Sequence, residues 1–434
     1  MGIGTDQQPS VRAPGGWRVL TPFRFREYRL LIAAVSITIL AEGMWAVVMA
    51  LQVIALNNDP AALSLVAACL GGGLVAFVLV GGIAADRIPQ RTIIIAVELV
   101  NLFTVSIVAT LGLLDALQVW HMAVASGLLG IAAAFFFPAY SAYLPRILPA
   151  EQLLAANGVE GVMRPVLQRA AGPAAAGLLI GATFPTVGAV IVAILFAISL
   201  VLLVATRGAA AASHLSPGLA GPEIPTRSHP LADLRDGFHF MIRTPWLLAT
   251  LLFASMYVLL VIGPFEVLLP FITGDRFDHG AQMYGFVLAA FGVGSAVGAL
   301  GVASWQLPRR YLSVMMLMWG AGSLPLVVIG WTHSVVAMMV AGFLVGITDG
   351  AGMVIWGTLL QRRVPPAMLG RVSSLDFFVS LAFMPVSMAI AGPLSKVIST
   401  EVIFLAAGVT PVAIAAVAWL AARMARDEIA HPLR

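Results

Sequence analysis

The sequence has little charge, one cysteine and one lysine. Charged residues make up 10% of its 434 positions, whereas soluble domains carry about 25%. The single cysteine, Cys69, excludes a disulfide framework, and the single lysine is Lys396. Hydrophobic residues make up 60% of the chain, and the mean hydropathy is +0.98. No water-soluble fold covers so much apolar surface, so the composition predicts a polytopic membrane protein.

Sequence signatures of catalysis are also missing. There is no Gly-x-x-x-x-Gly-Lys-Ser/Thr loop, and the seven histidines do not fall at metal-ligand spacings. An intramembrane enzyme would need a nucleophile–base pair or metal ligands at matching depth, and the sequence offers neither. We therefore expect no enzymatic activity, no metal and no cofactor, and we expect a proton gradient as the energy source.

Twelve long apolar runs are separated by short polar segments. About 20 residues cross a bilayer as a helix, and each run is about long enough. The runs form two sets of six on either side of a break at 206–245. They cover residues 30–56, 63–85, 92–114, 120–144, 154–182, 186–205, 246–272, 283–304, 312–330, 335–360, 372–398 and 402–424. This pattern predicts an all-α membrane protein with twelve transmembrane helices in two pseudo-symmetric six-helix bundles.

The break and the chain ends divide the sequence into five parts. These are a cytoplasmic N-terminal segment at 1–29, a six-helix bundle at 30–206, a cytoplasmic linker at 207–245, a second six-helix bundle at 246–424 and a cytoplasmic tail at 425–434. Small residues and prolines fill 208–228, which predicts a poorly ordered stretch. The end of the linker has apolar residues at helical spacing, which predicts an amphipathic helix on the inner leaflet.

Loop charge predicts the orientation in the membrane. If the N-terminus is in the cytoplasm, nearly all loop arginines lie inside, and the outside segments hold only Arg276 and Lys396. Because basic loops stay in the cytoplasm, we expect a bacterial cytoplasmic-membrane protein with both termini inside. The arginines form no basic face, which excludes a nucleic-acid partner despite a pI of about 9.6. A small-molecule substrate and the lipid bilayer are the expected partners, and we expect a monomer.

Landmarks of the first half recur in the second at a nearly constant offset. The pair Gly172-Pro173 reappears 220 positions later as Gly392-Pro393. Three turn residues reappear 219 positions later, with Gly82, Pro89 and Arg91 matching Gly301, Pro308 and Arg310. Such duplicated halves are typical of transporters that bind substrate near the bilayer midplane between them. Because proline frees a backbone carbonyl, both Gly-Pro pairs are candidate helix hinges.

The turn between the second and third runs is short and charged. It runs from Gly82 through Asp86 and Arg87 to Arg91. The glycines Gly81 and Gly82 would let the end of the second span approach a neighbour closely. This turn resembles the motif-A loop of the major facilitator superfamily, Gly-x-x-x-Asp-Arg-x-Gly-x-Arg, with Pro89 in place of the second glycine. In the second half, Trp305 stands in place of Asp86.

Longer stretches narrow the resemblance. Pro-Ala-Tyr-Ser-Ala-Tyr-Leu-Pro at 138–145 and Leu-Gln-Arg-Arg-Val-Pro-Pro at 360–366 resemble the branch that contains enterobactin exporters and macrolide-efflux pumps. The Gly172-Pro173 pair resembles the motif-C antiporter signature, which implies export. The resemblance also implies that span two lies beside span eleven. We therefore expect Asp86 to contact the N-terminus of span eleven in the outward-open state, with Arg87 and Arg91 bracing the loop.

Ionisable residues inside the spans are the sharpest functional signal, because charges at the bilayer centre cost roughly 2.5–3.5 kcal/mol each. The candidates for proton and substrate coupling are Glu42, Arg169, Asp349 and Glu266. Arg169 stays protonated and needs a partner. Glu42 lies at a similar depth, about 18 Å against about 22 Å, so we hypothesise that Glu42 and Arg169 face each other.

Other intramembrane charges have simpler explanations. Glu160 lies nine residues before Arg169, which places the two on opposite faces of an α-helix, and Glu160 can pair with Arg164 one turn away. Glu98 and Asp376 lie near the inner ends of their spans, where water or loop arginines can satisfy them. We expect these last two residues to be structural.

We therefore predict proton-coupled export, by antiport, of a small amphipathic or hydrophobic compound such as a drug. One alternative within transport is a dedicated exporter of a siderophore or another natural product, such as a self-made antibiotic. An alternative of another class is a non-transporting lipid-binding or assembly protein. Such a protein would not need ionisable residues at mid-span.

Overall fold

The protein is all-helical in the part that the structure describes. This computed structural model describes residues 18–206, 230–304 and 307–433. Those ranges contain helices and no strand, as the sequence predicts. The predicted poorly ordered stretch at 208–228 and the substituted position Trp305 lie outside the described residues.

The first half begins with a short 3₁₀ helix at Arg18–Arg24 and continues through seven α-helices. They are α1 (Arg26–Leu56), α2 (Pro60–Arg87), α3 (Gln90–Leu113), α4 (Val119–Ile147), α5 (Ala150–Arg164), α6 (Gly172–Ala182) and α7 (Pro185–Ala205). A π-helical segment, Pro165–Ala171, joins α5 to α6. We call it the first π segment.

The second half follows the same plan. Its helices are α8 (Pro230–Arg243), α9 (Pro245–Gly263), α10 (Leu269–Arg276), α11 (Gly280–Ala303), α12 (Tyr311–Ala321), α13 (Leu326–Trp331), α14 (Val335–Arg363), α15 (Pro366–Leu381), α16 (Met384–Ser395), α17 (Thr400–Ala421) and α18 (Met424–Ala430). The second π segment, Pro264–Leu268, joins α9 to α10. The helix predicted at the end of the linker is α8, which packs on α9 and α15.

Eleven helical segments of the described chain are long and apolar enough to cross a membrane. They correspond to all of the predicted runs except 154–182. That run corresponds to α5, the first π segment and α6, which follow one another without a break and carry Glu160, Arg164 and Arg169. Prolines occupy the first turn of many of these helices, where a missing backbone N–H costs nothing because it would have no intrahelical partner.

The two halves meet along two pairs of helices. We call the face at which α1 begins and α17 ends the terminal face, and the other one the opposite face. Within the halves, α2 packs on α4 and α11 packs on α14. Between the halves, α2 packs on α16, which confirms that span two lies beside span eleven, and α11 packs on α6 and the first π segment. By contrast, α5 packs chiefly on elements of its own half.

Each π segment is explained by prolines. Proline has no N–H, and its ring clashes with the carbonyl four residues earlier, so the ordinary helical bond cannot form there. The first π segment begins at Pro165 and ends two residues before Pro173. The second begins at Pro264 and ends two residues before Pro270. Widened turns with i→i+5 bonds accommodate the displaced carbonyls, and such turns are frequent at functional sites.

Candidate functional site

A cavity of about 430 Å³ lies between the halves, in the part of the molecule nearer the terminal face. Its two walls differ in character. The first half contributes the polar and charged residues Asn157, Glu160, Arg164, Gln168 and Arg169, together with Gly161 and Pro165. The second half contributes small and apolar residues, namely Ser295, Ala299, Gly350, Met353 and Val354. The volume is within the range of about 300–1,000 Å³ that is usual for small-molecule sites.

The first π segment brings the charges of span five to one cavity. Glu160 and Arg164 form an ion pair at 3.0 Å, as predicted. The prediction that Glu160 and Arg169 lie on opposite faces is wrong, since both line the cavity. That prediction assumed an uninterrupted α-helix. In a π turn the i→i+5 bonds align residues five apart, so Arg169 falls on the same side as Arg164.

Arg169 is paired across the boundary between the halves. Its Nη1 donates to Asp349 Oδ2 at 3.0 Å, and its guanidinium lies 5.7 Å from the centre of the Phe291 ring. The Arg169 side chain lines the cavity and is 48% exposed, and that of Asp349, which precedes the cavity-lining Gly350, is 19% exposed. The hypothesis that Arg169 pairs with Glu42 is therefore wrong in this conformation. The partner does come from another span, but from the other half.

Glu42 instead accepts a hydrogen bond from the side-chain amide of Gln168. Gln168 Nε2 donates to Glu42 Oε2 at 2.8 Å, and the Gln168 backbone packs directly on Gly43. A Cβ atom at Gly43 would collide with that backbone. This close approach places the Glu42 carboxyl beside the residue that precedes Arg169. Sequence reasoning did not find Gln168, because an uncharged amide gives no signal in a count of intramembrane charges.

Glu266 lies on the second π segment with no hydrogen bond or ion pair among the described residues. It is neither fully buried nor freely exposed. The positive charge of Arg169 acts on Glu266 and on the Tyr257 hydroxyl. Arg169 and Glu266 occupy equivalent positions, each four residues before a proline, Pro173 and Pro270. In both cases the residue lies within a π segment, where the helix is wider than an α-helix.

The predicted latch is described only in part. The side chains of Asp86 and of Arg371, at the start of span eleven, lie outside the described residues. Arg87 is exposed. Arg91 donates to the carbonyls of Val204 and Thr206 at 3.0 and 2.8 Å, so it caps the C-terminus of α7.

The glycines of the turn differ from each other. The backbone of Ala134 on α4 lies directly against Gly81, so this glycine permits close packing. A Cβ atom added to Gly82 would meet no other atom within 4 Å, and the expected role of Gly82 in close approach is wrong. Its match in the second half, Gly301, also faces open space.

The two Gly-Pro pairs make different contacts. Gly172 lies against the backbone of Gly43 and Met44, inside the first half. Gly392 lies against the backbone of Pro60, in the other half, and its N–H donates to Ser64 Oγ at 2.7 Å. Their proposed role as hinges, together with Pro173 and Pro393, stays a prediction.

An ion pair joins the halves at the opposite face. Lys396 Nζ donates to Asp59 Oδ2 at 2.6 Å, and Asp59 Oδ1 accepts the backbone N–H of Ala61 at the start of α2. The hydrogen bond from Lys396 lowers the pKa of the Asp59 carboxyl. Together with the contact of Gly392 on Pro60, this pair closes the opposite face. The cavity lies on the terminal-face side of these contacts.

Comparison with known families is consistent with this geometry. The family model described as the Major Facilitator Superfamily matches residues 31–380. The chain is 26% identical to the enterobactin exporter EntS of Escherichia coli over 364 residues, which are 80% of each chain. It is 30% identical to an uncharacterized MFS-type transporter, y4rN, of Sinorhizobium fredii over 288 residues, which are 64% of this chain and 65% of that one.

Solved transporter structures share the fold. The nucleoside transporter NupG superposes with a TM-score of 0.69 at 12% identity, over 91% of this chain and 98% of that chain. A POT family transporter in complex with 5-aminolevulinic acid gives 0.68 at 13% identity, over 91% and 96%. At these identities the likeness shows the fold alone.

Proposed function

Since the chain belongs to the Major Facilitator Superfamily and is a membrane transporter, we propose that it exports a small amphipathic compound in exchange for protons. The terminal face is then the cytoplasmic one, as the loop arginines favour. In the conformation described above the cavity would be open to the cytoplasm, ready to receive substrate. The likeness to an enterobactin exporter supports the direction of transport.

The observation that carries this proposal is the Arg169–Asp349 pair. It joins the two halves at a cavity in which a charged wall faces an apolar wall. An amphipathic molecule can match both walls at once, placing its polar group at the pair and its apolar part on Met353 and Val354. A purely hydrophobic molecule would leave the charged wall without partners, at a cost of about 1–3 kcal/mol for each unsatisfied group.

Proton coupling follows from competition at this pair. A substrate group that accepts from Arg169 and donates to Asp349 takes the pair apart and replaces both contacts. A proton on Asp349 cancels its charge and turns one accepting oxygen into a donor, which weakens the contact on which that group depends. Proton and substrate then exclude each other at Asp349, which is the requirement for antiport. Glu42, through Gln168, holds the helix turn that carries Arg169, and Glu266 is a second carboxyl within the field of the same guanidinium.

A second candidate substrate is a siderophore-like natural product. The likeness to EntS favours it, and so does the presence of two arginines in one cavity. Guanidinium groups bind carboxylates and other oxygen-rich anions through paired N–H donors. The two candidate classes of substrate, drugs and siderophore-like natural products, differ in charge. Transport measured with a panel of compounds can therefore distinguish between them.

The test is transport by purified protein in proteoliposomes with an imposed pH gradient. The panel contains cationic drugs, a neutral macrolide and a catecholate siderophore, and internal pH is recorded with a trapped dye. We expect uptake into these proteoliposomes that is driven by the gradient and abolished by a protonophore. Asp349→Asn, which mimics the protonated aspartate, should weaken substrate binding and lose the coupled proton movement. Asp278→Asn, at an exposed position of the opposite face, is the matched control. Substrate accumulation by Asp349→Asn at the wild-type level would refute the coupling role.

A further inference from the structure

Glu98 is a fully buried carboxyl that the coupling site does not use. It lies on α3, eight residues after the helix begins at Gln90, or about 12 Å into the span. Its exposure is 0%. The expectation that water or a loop arginine would satisfy it is wrong. Among the described residues, the charged group that acts on it is Glu42, which is also acidic, and its neighbours Thr38, Ser199 and Asn101 are uncharged.

Three short oxygen contacts run from this carboxyl to a backbone carbonyl. Glu98 Oε1 lies 2.8 Å from Thr38 Oγ1, on α1. Thr38 Oγ1 lies 2.8 Å from Ser199 Oγ, on α7. Ser199 Oγ lies 3.1 Å from the carbonyl oxygen of Ala34, again on α1. The chain of contacts thus joins three helices of the first half.

The number of protons available for these three contacts determines the protonation state of Glu98. Three contacts between oxygens need three protons, and the carbonyl of Ala34 has none to give. Thr38 and Ser199 supply one hydroxyl proton each. If Glu98 were ionised, one of the three contacts would bring two oxygens together without a proton. A proton on Glu98 supplies the missing donor, and each group then donates to the next.

The other carboxyl oxygen gives an independent indication. Glu98 Oε2 is buried and has no hydrogen-bond partner among the described residues, although the Asn101 side chain lies near the carboxyl. An ionised carboxylate would carry negative charge on this unsolvated oxygen, with uncharged side chains and another acid as its neighbours. Burying an unpaired charge costs far more than burying a neutral carbonyl-type oxygen. Both observations therefore require the neutral acid.

We propose that Glu98 binds a proton in this conformation, and that the resulting carboxylic acid donates to Thr38 at the head of a chain joining α3, α1 and α7. This site is separate from the cavity, and its occupancy follows from local contacts whether or not transport is coupled to protons. Its role is to hold three helices together through donors that an anion could not provide.

Infrared difference spectroscopy on the purified protein in lipid tests this directly, because a protonated carboxyl has a C=O band distinct from carboxylate bands. Glu98→Gln should lose one such acid band relative to wild type. The amide can still donate to Thr38, so we expect this variant to unfold at the wild-type temperature. Asp278→Asn, which removes an exposed acid, should lose carboxylate intensity only.

Two variants of Thr38 keep the proposal testable even if Glu98→Gln does not fold. Thr38→Val removes the acceptor and should shift the acid band, whereas Thr38→Ser keeps the hydroxyl and should leave it in place. Loss of carboxylate bands alone in Glu98→Gln would overturn the proposal. An acid band that is unmoved in Thr38→Val would overturn it as well.

Discussion

Lys396, the chain's single lysine, donates to Asp59 across the boundary between the halves, at 2.6 Å. The two residues are 337 positions apart in the sequence. Asp59 also caps α2 through its other oxygen. One carboxyl thus fixes the start of a first-half helix and the end of a second-half helix, at the face that is closed in this structure.

The first prediction is that Asp59→Asn speeds chemical labelling of Lys396, whose side chain is 52% exposed when paired. Asparagine keeps the helix cap, because its side-chain oxygen can still accept from Ala61, but it removes the ion pair. With a single lysine in the chain, acetylation by an amine-reactive reagent reports on one side chain. We expect faster labelling of the peptide that contains Lys396, measured by mass spectrometry. Equal labelling rates in both proteins would argue against a closing role for the pair.

The second prediction concerns pH at the opposite face. Because the Asp59 pKa is lowered in the folded protein, the pair contributes fully above the ordinary aspartate pKa of about 3.9 and is lost as pH falls through the lowered value. Spin labels at Asn57 and Val397, in a Cys69→Ser background, should report a constant short distance from neutral to mildly acidic pH. Separation beginning near neutral pH would contradict this assignment.

The third prediction is that Arg169 and Asp349 are energetically coupled. Asp349→Asn leaves a half-exposed guanidinium without its anion, and Arg169→Gln leaves the carboxylate without its cation. Each change should lower stability by about 1–2 kcal/mol, below the cost for a fully buried pair. The double variant should lose less than the sum of the two, by at least about 0.5 kcal/mol. Thermal unfolding of the four proteins in the same detergent measures this, and strict additivity would mean the contact contributes nothing.

The fourth prediction concerns the C-terminal helix α18. Glu428 is buried and accepts the backbone N–H groups of Leu312 and Ser313 at 3.0 and 3.1 Å, so it caps α12. Glu428→Ala should lower the free energy of unfolding by about 1–3 kcal/mol, because one buried and one partly buried donor lose their acceptor. Arg426→Ala, at an exposed position of the same helix, should be close to neutral. Comparable losses in the two variants would show that the cap is not the cause.

The fifth prediction is that Gly392→Ala opens the closed face. Its Cβ would collide with the Pro60 backbone, which no rotamer change can relieve. We expect α16 to move away from α2 and the labelling of Lys396 to rise. Gly357→Ala is the control, since that helical glycine has no neighbour within 4 Å of the added atom. If labelling is unchanged in Gly392→Ala, the contact does not hold the halves together.

The sequence predicts the positions of the helices well, but it predicts poorly which ionisable side chains pair between them, for a physical reason. Apolar length determines which segments cross the membrane, and the predicted runs agree with the observed helices. Depth, however, gives only one coordinate of a side chain. Asp349 lies 14 residues before α14 ends at Arg363, which is about 21 Å and as good a match for Arg169 as Glu42. Depth alone could not choose between the two carboxylates.

The direction in which a side chain points around the helix axis is a quantity that depth does not give. The 3.6-residue period predicts opposite faces for Glu160 and Arg169, and the first π segment changes that relation. The signal was present in the proline spacing, because Pro165 and Pro173 bracket the widened turn. For a glycine, too, the sequence does not show whether it faces a neighbouring helix. Gly81 and Gly82 are adjacent in the sequence, yet only the first meets a neighbouring helix.

The π segments also determine where the chain can change its length. Deleting one residue from an ordinary membrane helix rotates everything beyond the deletion by about 100° and buries a different set of side chains. Within 165–171 or 264–268, the loss of one residue narrows the wide turn and leaves both flanks in place. Insertions and deletions among relatives should therefore occur mainly within these two segments of spans five and seven. They would change the direction in which the Arg169 and Glu266 side chains point without disturbing the rest of the fold.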